Sequence, residues 1–324
     1  MKIVYMGTPE FAVKPLEKLV EAGHEVVAVF TQPDKAKGRS KALVPTPVKE
    51  MALKHNIPVY QPEKLREEEN VKLIRELKPE AIVVAAYGQI LPVSILEIPR
   101  YGCINIHASL LPRYRGAAPI ERSIIDGEKV TGVTTMYMEK GLDTGDIIEV
   151  SEVAIENNDT GKTLHDKLMN VGSLLILSTL QKLADGTATR TKQDDSKSCY
   201  AAMLDKEMGR LDFSRSATDI ERLIRGLIPW PCAYTSINGK SAKIYRAGVK
   251  AVDDSVRNAL REKNPELTFA PGEIIDVTKK NFTIMCGEDA IVVYELQPEG
   301  KKQMDAAGYL NGNKLVTGSF VGDR

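Results

Sequence analysis

Zinc sites and disulfide frameworks need clustered cysteines, and this chain has none. Its four cysteines, Cys103, Cys199, Cys232 and Cys286, are scattered over 324 residues without a Cys-x-x-Cys pair. That spacing argues against a metal or disulfide scaffold, and reduced thiols fit the cytoplasm. Net charge is missing too, because 44 Lys plus Arg balance 44 Asp plus Glu. A whole-molecule electrostatic grip on nucleic acid or membrane is therefore not expected, although a local basic patch remains open. No apolar run approaches membrane-spanning length, and the opening "MKIVYMGTPEF" is too short in its apolar stretch for a secretory signal. The expectation is a soluble cytoplasmic protein with no membrane partner.

What is present first is an alternation of buried-strand and helix signals. "KIVYMG", "EVVAVF" and "EAIVVAAYG" read as strands covered on both faces, with "CINIH" as another. Helical patterns fall between them, over Phe11–Ala22, about Val48–His55 and about Leu65–Leu77. This βαβα order predicts an α/β fold with a Rossmann-like, open, mostly parallel sheet. "GVTTMYM" and "DIIEVSEVAI" add two strands, and a long helix runs from about Thr163 to Asp185. The chain then turns polar and aperiodic, which reads as a linker at 190–206 between a first domain, 1–189, and a second, 207–324. After one helix, "SATDIERLIRGL", the second domain is a run of short strands, the pattern of a small β-barrel.

The first βα turn, "GTPEF", lacks the Gly-x-Gly-x-x-Gly of dinucleotide-binding sheets, so a nicotinamide oxidoreductase is a poor second reading. "GLDTGD" holds a single Asp-Thr-Gly, whereas aspartic proteases need two facing carboxylates; taken alone, Asp143 reads as a turn residue. His24, His55 and His165 sit at a turn, a helix end and a helix face, where structural or solvated roles suffice. His107 differs. It ends a buried strand in "YGCINIHASLLP", on the same face as Asn105 and roughly 6.6 Å from it at ~3.3 Å per residue. Ligands of open α/β sheets bind beyond the carboxyl ends of strands, so two polar side chains there point to a site.

With "NIHASLLPRYRGAAP" read as a unit, the chain resembles the formyltransferases that use 10-formyltetrahydrofolate. The Asn-x-His followed by Ser-Leu-Leu-Pro-x-Tyr-x-Gly is that family's central motif. "GTPEFA", "AAYGQILP" and "GLDTGDI" match as well, and "IPWPCAYT" resembles a Pro-Trp-Pro-Gly-Ala segment with Cys232 in place of the glycine. The likeness spans nearly the whole chain and is strongest to the branch whose acceptor is methionyl-tRNA. It implies Asn105, His107 and Asp143 as the catalytic set. It also implies a folate site built from Ser109, Leu110, Leu111 and Pro112 with Tyr87, Gly88, Gln89 and Ile90, and an OB-like C-terminal barrel. The implied donor is 10-formyltetrahydrofolate as co-substrate, without a metal. The implied acceptor is initiator methionyl-tRNA, the product N-formylmethionyl-tRNA serves translation initiation, and the enzyme is expected to be a monomer.

The implied chemistry calls for these residue types. Attack of a neutral amine on the formyl carbon makes an oxyanion and a positive nitrogen that must lose a proton. An amide such as Asn105 can donate to the oxyanion, and an imidazole such as His107 has an ordinary pKa near operating pH for moving the proton. Asp143 would orient the imidazole or help pass the proton.

Related enzymes formylate glycinamide ribonucleotide or amino-sugar nucleotides, and the latter are the alternative acceptors for this chain. One insertion discriminates. "PDKAKGRSKALVPTPVK" sets Lys35, Lys37, Arg39, Lys41 and Lys49 against a single acid, Asp34, in an unusually long connection after the second strand. Basic side chains at the mouth of a site suit an RNA acceptor end held through its phosphates. Lys35, Lys37, Arg39 and Lys41 are therefore the expected tRNA contacts, with Arg39 foremost. Lys240, Lys243, Arg246 and Lys250 are the densest basic group of the second domain, and Lys192, Lys197 and Lys206 lie in the linker.

Overall fold

The computed structural model describes residues 1–37 and 42–322. The chain forms two compact units. The first comprises Met1–Pro119, Val130–Ala154 and Leu164–Ala202; the second comprises Ile120–Lys129, Ile155–Thr163 and Met203–Arg324.

The first unit is built on a seven-stranded sheet of β1 (Lys2–Gly7), β2 (Glu25–Phe30), β3 (Val59–Tyr60), β4 (Ala81–Ala85), β5 (Cys103–His107), β6 (Val130–Tyr137) and β7 (Ile147–Ala154). The spatial order is β7-β6-β5-β4-β1-β2-β3. The run from β3 to β5 is parallel, and β6 and β7 are added antiparallel. The mostly parallel Rossmann-like sheet is as expected. Its central strands are apolar on both faces because helices cover both sides. Val4, Met6, Phe30, Ile82, Val84 and Tyr87 form one such core with Leu65 and Ile74.

Helix positions follow local chemistry. Pro47–Lys54 starts at a Thr46 cap whose hydroxyl accepts from the Lys49 amide, with Pro at the first turn where no N–H is needed. Glu68–Leu77 begins three residues later than its apolar pattern, and ahead of it the Leu65 amide donates to Gln89 Oε1 at 2.8 Å and Asn70 Nδ2 donates to the Lys64 carbonyl at 3.1 Å. The long helix Gly161–Asp185 lies close to β5 at Gly172, where a Cβ would come within 3.0 Å of Ile106. Tyr200–Ala201 pairs in parallel with Arg115–Gly116, so part of the polar stretch after that helix returns to the end of β5.

In the second unit, helix Ala217–Gly226 is capped by Ser216 and packs its Ile220, Leu223 and Ile224 into the core of an antiparallel sheet. That sheet contains β8 (Ala233–Ile237), β9 (Lys240–Lys250), β10 (Ile274–Val277), β11 (Phe282–Met285) and β12 (Ala290–Pro298), in the order β8-β9-β12-β11-β10. The run of short strands expected of the C-terminal domain is present, and its strands pair antiparallel. Cys232, which stands at the glycine of the Pro-Trp-Pro segment, has φ 69°. That backbone region is one a glycine enters without steric cost. A helix at Asp254–Lys263, capped by Asp253, lies outside the elements expected from periodicity; Leu260 alone on it is buried. Among the described residues no helix is long and apolar enough to cross a membrane.

Candidate active site

β5 runs between β4 and β6, with Val84 opposite Asn105, and Met136 and Thr134 opposite Asn105 and His107. All five of its residues are buried. Asn105 and His107 are 9% and 6% exposed, little enough that their polar groups meet protein rather than water.

The loop after β6 brings Asp143 to this pair. Asn105 Nδ2 donates to Asp143 Oδ1 over a long 3.4 Å, and His107 Nδ1 stands 3.7 Å from Asp143 Oδ2. The other imidazole nitrogen, Nε2, lies 2.8 Å from the Tyr114 carbonyl oxygen. A carbonyl only accepts, so Nε2 carries a proton and Nδ1 is the nitrogen turned to the carboxylate. Asp143 Oδ2 also accepts from the Gly116 amide at 2.9 Å. The amide, imidazole and carboxylate expected from sequence are therefore gathered in one place, and Asp143 is more than the turn residue it resembles in isolation.

Asp143 reaches that position by an unusual backbone, with φ 52°. The glycines on either side are closely packed. A Cβ on Gly145 would collide with the Tyr137 carbonyl, and one on Gly141 with the Thr144 hydroxyl. Gln193 then holds the loop from outside. Its Nε2 donates to the Asp143 and Gly145 carbonyls, both at 2.8 Å.

The Ser109–Pro112 turn follows β5 directly. Ser109 Oγ donates to the Arg113 carbonyl at 2.7 Å. Thr134, buried on β6, donates its hydroxyl to the Ser109 carbonyl at 2.6 Å and accepts from the Leu111 amide at 3.2 Å. Leu110 approaches Gly132 so closely that a Cβ there would strike its Cδ2. Of the second expected folate segment, Tyr87 turns its ring into the core, and its carbonyl accepts from Thr8 and Gln32. The Gln89 amide is spent on the Leu65 N–H and the Pro62 carbonyl. Gly88 and Ile90 stay exposed, Ile90 at 85%. Because β4 is the parallel neighbour of β5, this segment leaves the sheet on the same side as His107.

The basic insertion contains a small antiparallel hairpin, Lys35–Lys37 against Ala42–Val44, where the sequence pattern shows only a loop. It follows β2 and so rises from the same carboxyl edge of the sheet. Lys35 is exposed there. Arg39 and Lys41 lie outside the described residues. Lys49 does not reach outward, because its Nζ pairs with Asp34 at 2.6 Å and donates to Gln61 Oε1 at 2.7 Å. That lysine and Gln61 hold the Asp34 carboxyl below its usual range.

In the second unit, Lys240, Lys243, Arg246 and Lys250 share β9. Arg246 pairs with Glu295 at 2.7 Å and Lys250 with Asp276 at 3.6 Å. Among the described residues, Lys243 is exposed without an ion pair. No group of three or more His, Cys, Asp or Glu among the described residues is placed to hold a metal ion.

Three features of the site carried no sequence signal. The Tyr114 carbonyl and the Gly116 amide are backbone groups, and no residue type marks them. Thr134 reads as one more β-branched strand residue.

Comparison with known proteins supplies the remaining evidence. Residues 1–180 match the family model described as formyl transferase, and residues 203–314 match that described as formyl transferase, C-terminal domain. The methionyl-tRNA formyltransferase of Lachnospira eligens is 51% identical over 323 residues, covering 100% of each chain. That of Geobacter sulfurreducens is 47% identical, covering 100% of this chain and 97% of the relative. Among solved structures, the sugar 3N-formyl transferase WlaRD, crystallised with dTDP and 5-N-formyl-THF, superposes with a TM-score of 0.63 at 18% identity, over 93% of this chain and 99% of that one. HypX from Aquifex aeolicus, in complex with tetrahydrofolic acid, gives 0.62 at 15% identity, over 99% of this chain and 51% of that one. At those identities the structural likenesses speak to the fold alone.

Proposed function

The chain belongs to the methionyl-tRNA formyltransferase family, and on that premise we propose that Asn105, His107 and Asp143 carry out its reaction. The reaction moves the formyl group of 10-formyltetrahydrofolate to the α-amino group of methionyl-tRNA, giving the N-formylmethionyl-tRNA used in translation initiation. The amino-sugar nucleotide alternative falls away, because full-length relatives at about half identity are methionyl-tRNA enzymes and the sugar enzyme is a distant neighbour in fold.

The observation that carries the assignment is the convergence of the three side chains at the end of β5. The neutral α-amine attacks the formyl carbon, and the carbonyl oxygen becomes an oxyanion. Asn105 has two N–H groups, and among the described residues it donates one to Asp143; the other would serve the oxyanion. In a site this withdrawn from water, such a donor typically contributes about 10²–10³ in rate. His107, fixed by Tyr114 through Nε2, presents Nδ1 on the side of Asp143. A proton from the attacking nitrogen passes through this imidazole–carboxylate pair toward N10 of the folate as the tetrahedral centre collapses. The amine is itself the nucleophile, so no acyl-enzyme is required.

The apolar Ser109–Pro112 turn and the exposed Gly88 and Ile90 would receive the flat pterin, which an apolar slot with accessible backbone suits. Lys35 and Lys37, with Arg39 and Lys41 of the same basic sequence stretch, would hold the acceptor stem through phosphates. The second unit, through the basic side chains of β9, would make a further tRNA contact. The test is formyl transfer from labelled 10-formyltetrahydrofolate by Asn105→Ala and His107→Ala, with folding checked by circular dichroism. Both variants should lose at least about 10²-fold in kcat. Parental rates in either would remove that residue from the mechanism. Offered in parallel, methionyl-tRNA should gain label and an amino-sugar nucleotide should not.

A further inference from the structure

Asp143 is held at both ends, and one of its holders comes from a segment with no evident pattern. Gln193 is 6% exposed, and all of its amide is used. Nε2 donates one N–H to the Asp143 carbonyl and one to the Gly145 carbonyl. Oε1 accepts from Arg115 Nε at 3.1 Å and from Arg115 Nη2 at 2.8 Å. The orientation of the amide is forced. A guanidinium only donates and a backbone carbonyl only accepts, so a flipped amide would set donors against donors and acceptors against acceptors. Arg115 is itself tied on its outer side to Asp195, at 2.7 Å.

We propose that Gln193, oriented by Arg115, is a positioning residue that fixes the Asp143–Gly145 backbone and so keeps the Asp143 carboxylate between Asn105 and His107. The strain argument agrees. Asp143 sits at φ 52° without being glycine, and such a conformation persists only where its surroundings over-determine it. Gly116 N fixes the carboxylate, and Gln193 fixes the backbone behind it. The short stretch Tyr114–Gly116 therefore serves the site three times. Its Tyr114 carbonyl holds His107, its Gly116 amide holds Asp143, and its Arg115 side chain orients Gln193. The inference rests on the reading of Asp143 as part of the reacting centre, and the experiment separates the two.

Gln193→Glu keeps the shape and the acceptor facing Arg115 but removes both donors. Kcat should fall at least about tenfold, since small misplacements of catalytic groups are costly, while KM for folate and for methionyl-tRNA each stay within about twofold. Asp143→Asn is measured in parallel, with the double variant. Because Gln193 acts through Asp143, the double variant should be no slower than Asp143→Asn alone. A parental rate in Asp143→Asn would overturn the catalytic reading and this inference with it. A dead Asp143→Asn with a parental Gln193→Glu, or losses that multiply fully in the double variant, would overturn the positioning role alone. If Gln193→Glu does not fold, Arg115→Met carries the test by the same criteria, with a severalfold loss of kcat expected because the amide is then free to turn.

Discussion

Thr134→Val tests whether the turn after β5 is a braced element or merely a loop. Thr134 is fully buried, and its hydroxyl satisfies two backbone groups at once, the Ser109 carbonyl at 2.6 Å and the Leu111 amide at 3.2 Å. Ser109 is itself fully buried and Leu111 is 6% exposed, so water does not readily replace the lost partner. Valine preserves the branching at Cβ and removes only the hydroxyl. Each orphaned buried group costs about 1–3 kcal/mol, and the added methyl returns about 1 kcal/mol of burial. The net loss is about 1–5 kcal/mol. For a unit of this size about 1 kcal/mol shifts Tm by roughly 2–4 °C, so thermal unfolding of the full chain should show a drop of about 2–20 °C, with a middle value of about 9 °C, in the transition of the first unit. The same substitution frees the Ser109–Pro112 turn, and KM for 10-formyltetrahydrofolate should rise severalfold. An unchanged Tm together with an unchanged folate KM would refute the bracing.

Three further outcomes are expected. Gly145→Ala should abolish most formyl transfer, because its Cβ meets the backbone carbonyl of Tyr137, which cannot swing aside as a side chain would; single-turnover kinetics with bound substrates will show it. Lys35→Glu with Lys37→Glu should raise KM for methionyl-tRNA, flatten its dependence on salt and leave folate KM unchanged, since phosphate contacts act through counterion release; unchanged tRNA kinetics would make the hairpin plain surface. Burial raises the Glu149 carboxyl, but Lys182 at 2.6 Å with Thr179 and Ser178 outweighs it and holds the group below its usual range. Its contribution is therefore complete above the ordinary carboxylate pKa and lost as pH falls through the lowered value, so Glu149→Gln should reduce Tm at neutral pH, and the difference from the parent should shrink as pH falls through that lowered value.

The sheet was legible because central parallel strands have no solvent face to vary. Ile3–Met6 and Ala81–Ala85 are apolar at every position, and the only arrangement that buries such strands on both sides is a layered α/β sheet. The same rule made Asn105 and His107 conspicuous, as polar groups at the end of a strand that otherwise excludes them. Hairpin Lys35–Lys37/Ala42–Val44 was less visible. Strands of three residues are too short for a period to register, and the charges there advertise solvent whether or not the backbone pairs.

The partners of Asn105, His107 and Asp143 were least legible, and the reason is the type of group involved. His107 is oriented by a carbonyl and Asp143 by an amide N–H, groups that every residue but proline carries. Their selection lies in where the chain after Pro112 is led, and no side chain records that path. Gln193 is the instructive case. A glutamine in "TRTKQDDSKS" has the composition of a solvated connection, yet the segment around it is tied down by backbone bonds. Thr191 exchanges two with Ile147, at 2.8 and 2.9 Å, and Tyr200–Ala201 pairs with Arg115–Gly116. Those pairings bring position 193 beneath the Asp143 loop, where an amide can saturate two carbonyls and a guanidinium together. Polarity in that stretch thus reflects hydrogen bonding within the protein as well as contact with water, and periodicity, which reports only apolar burial, does not distinguish the two.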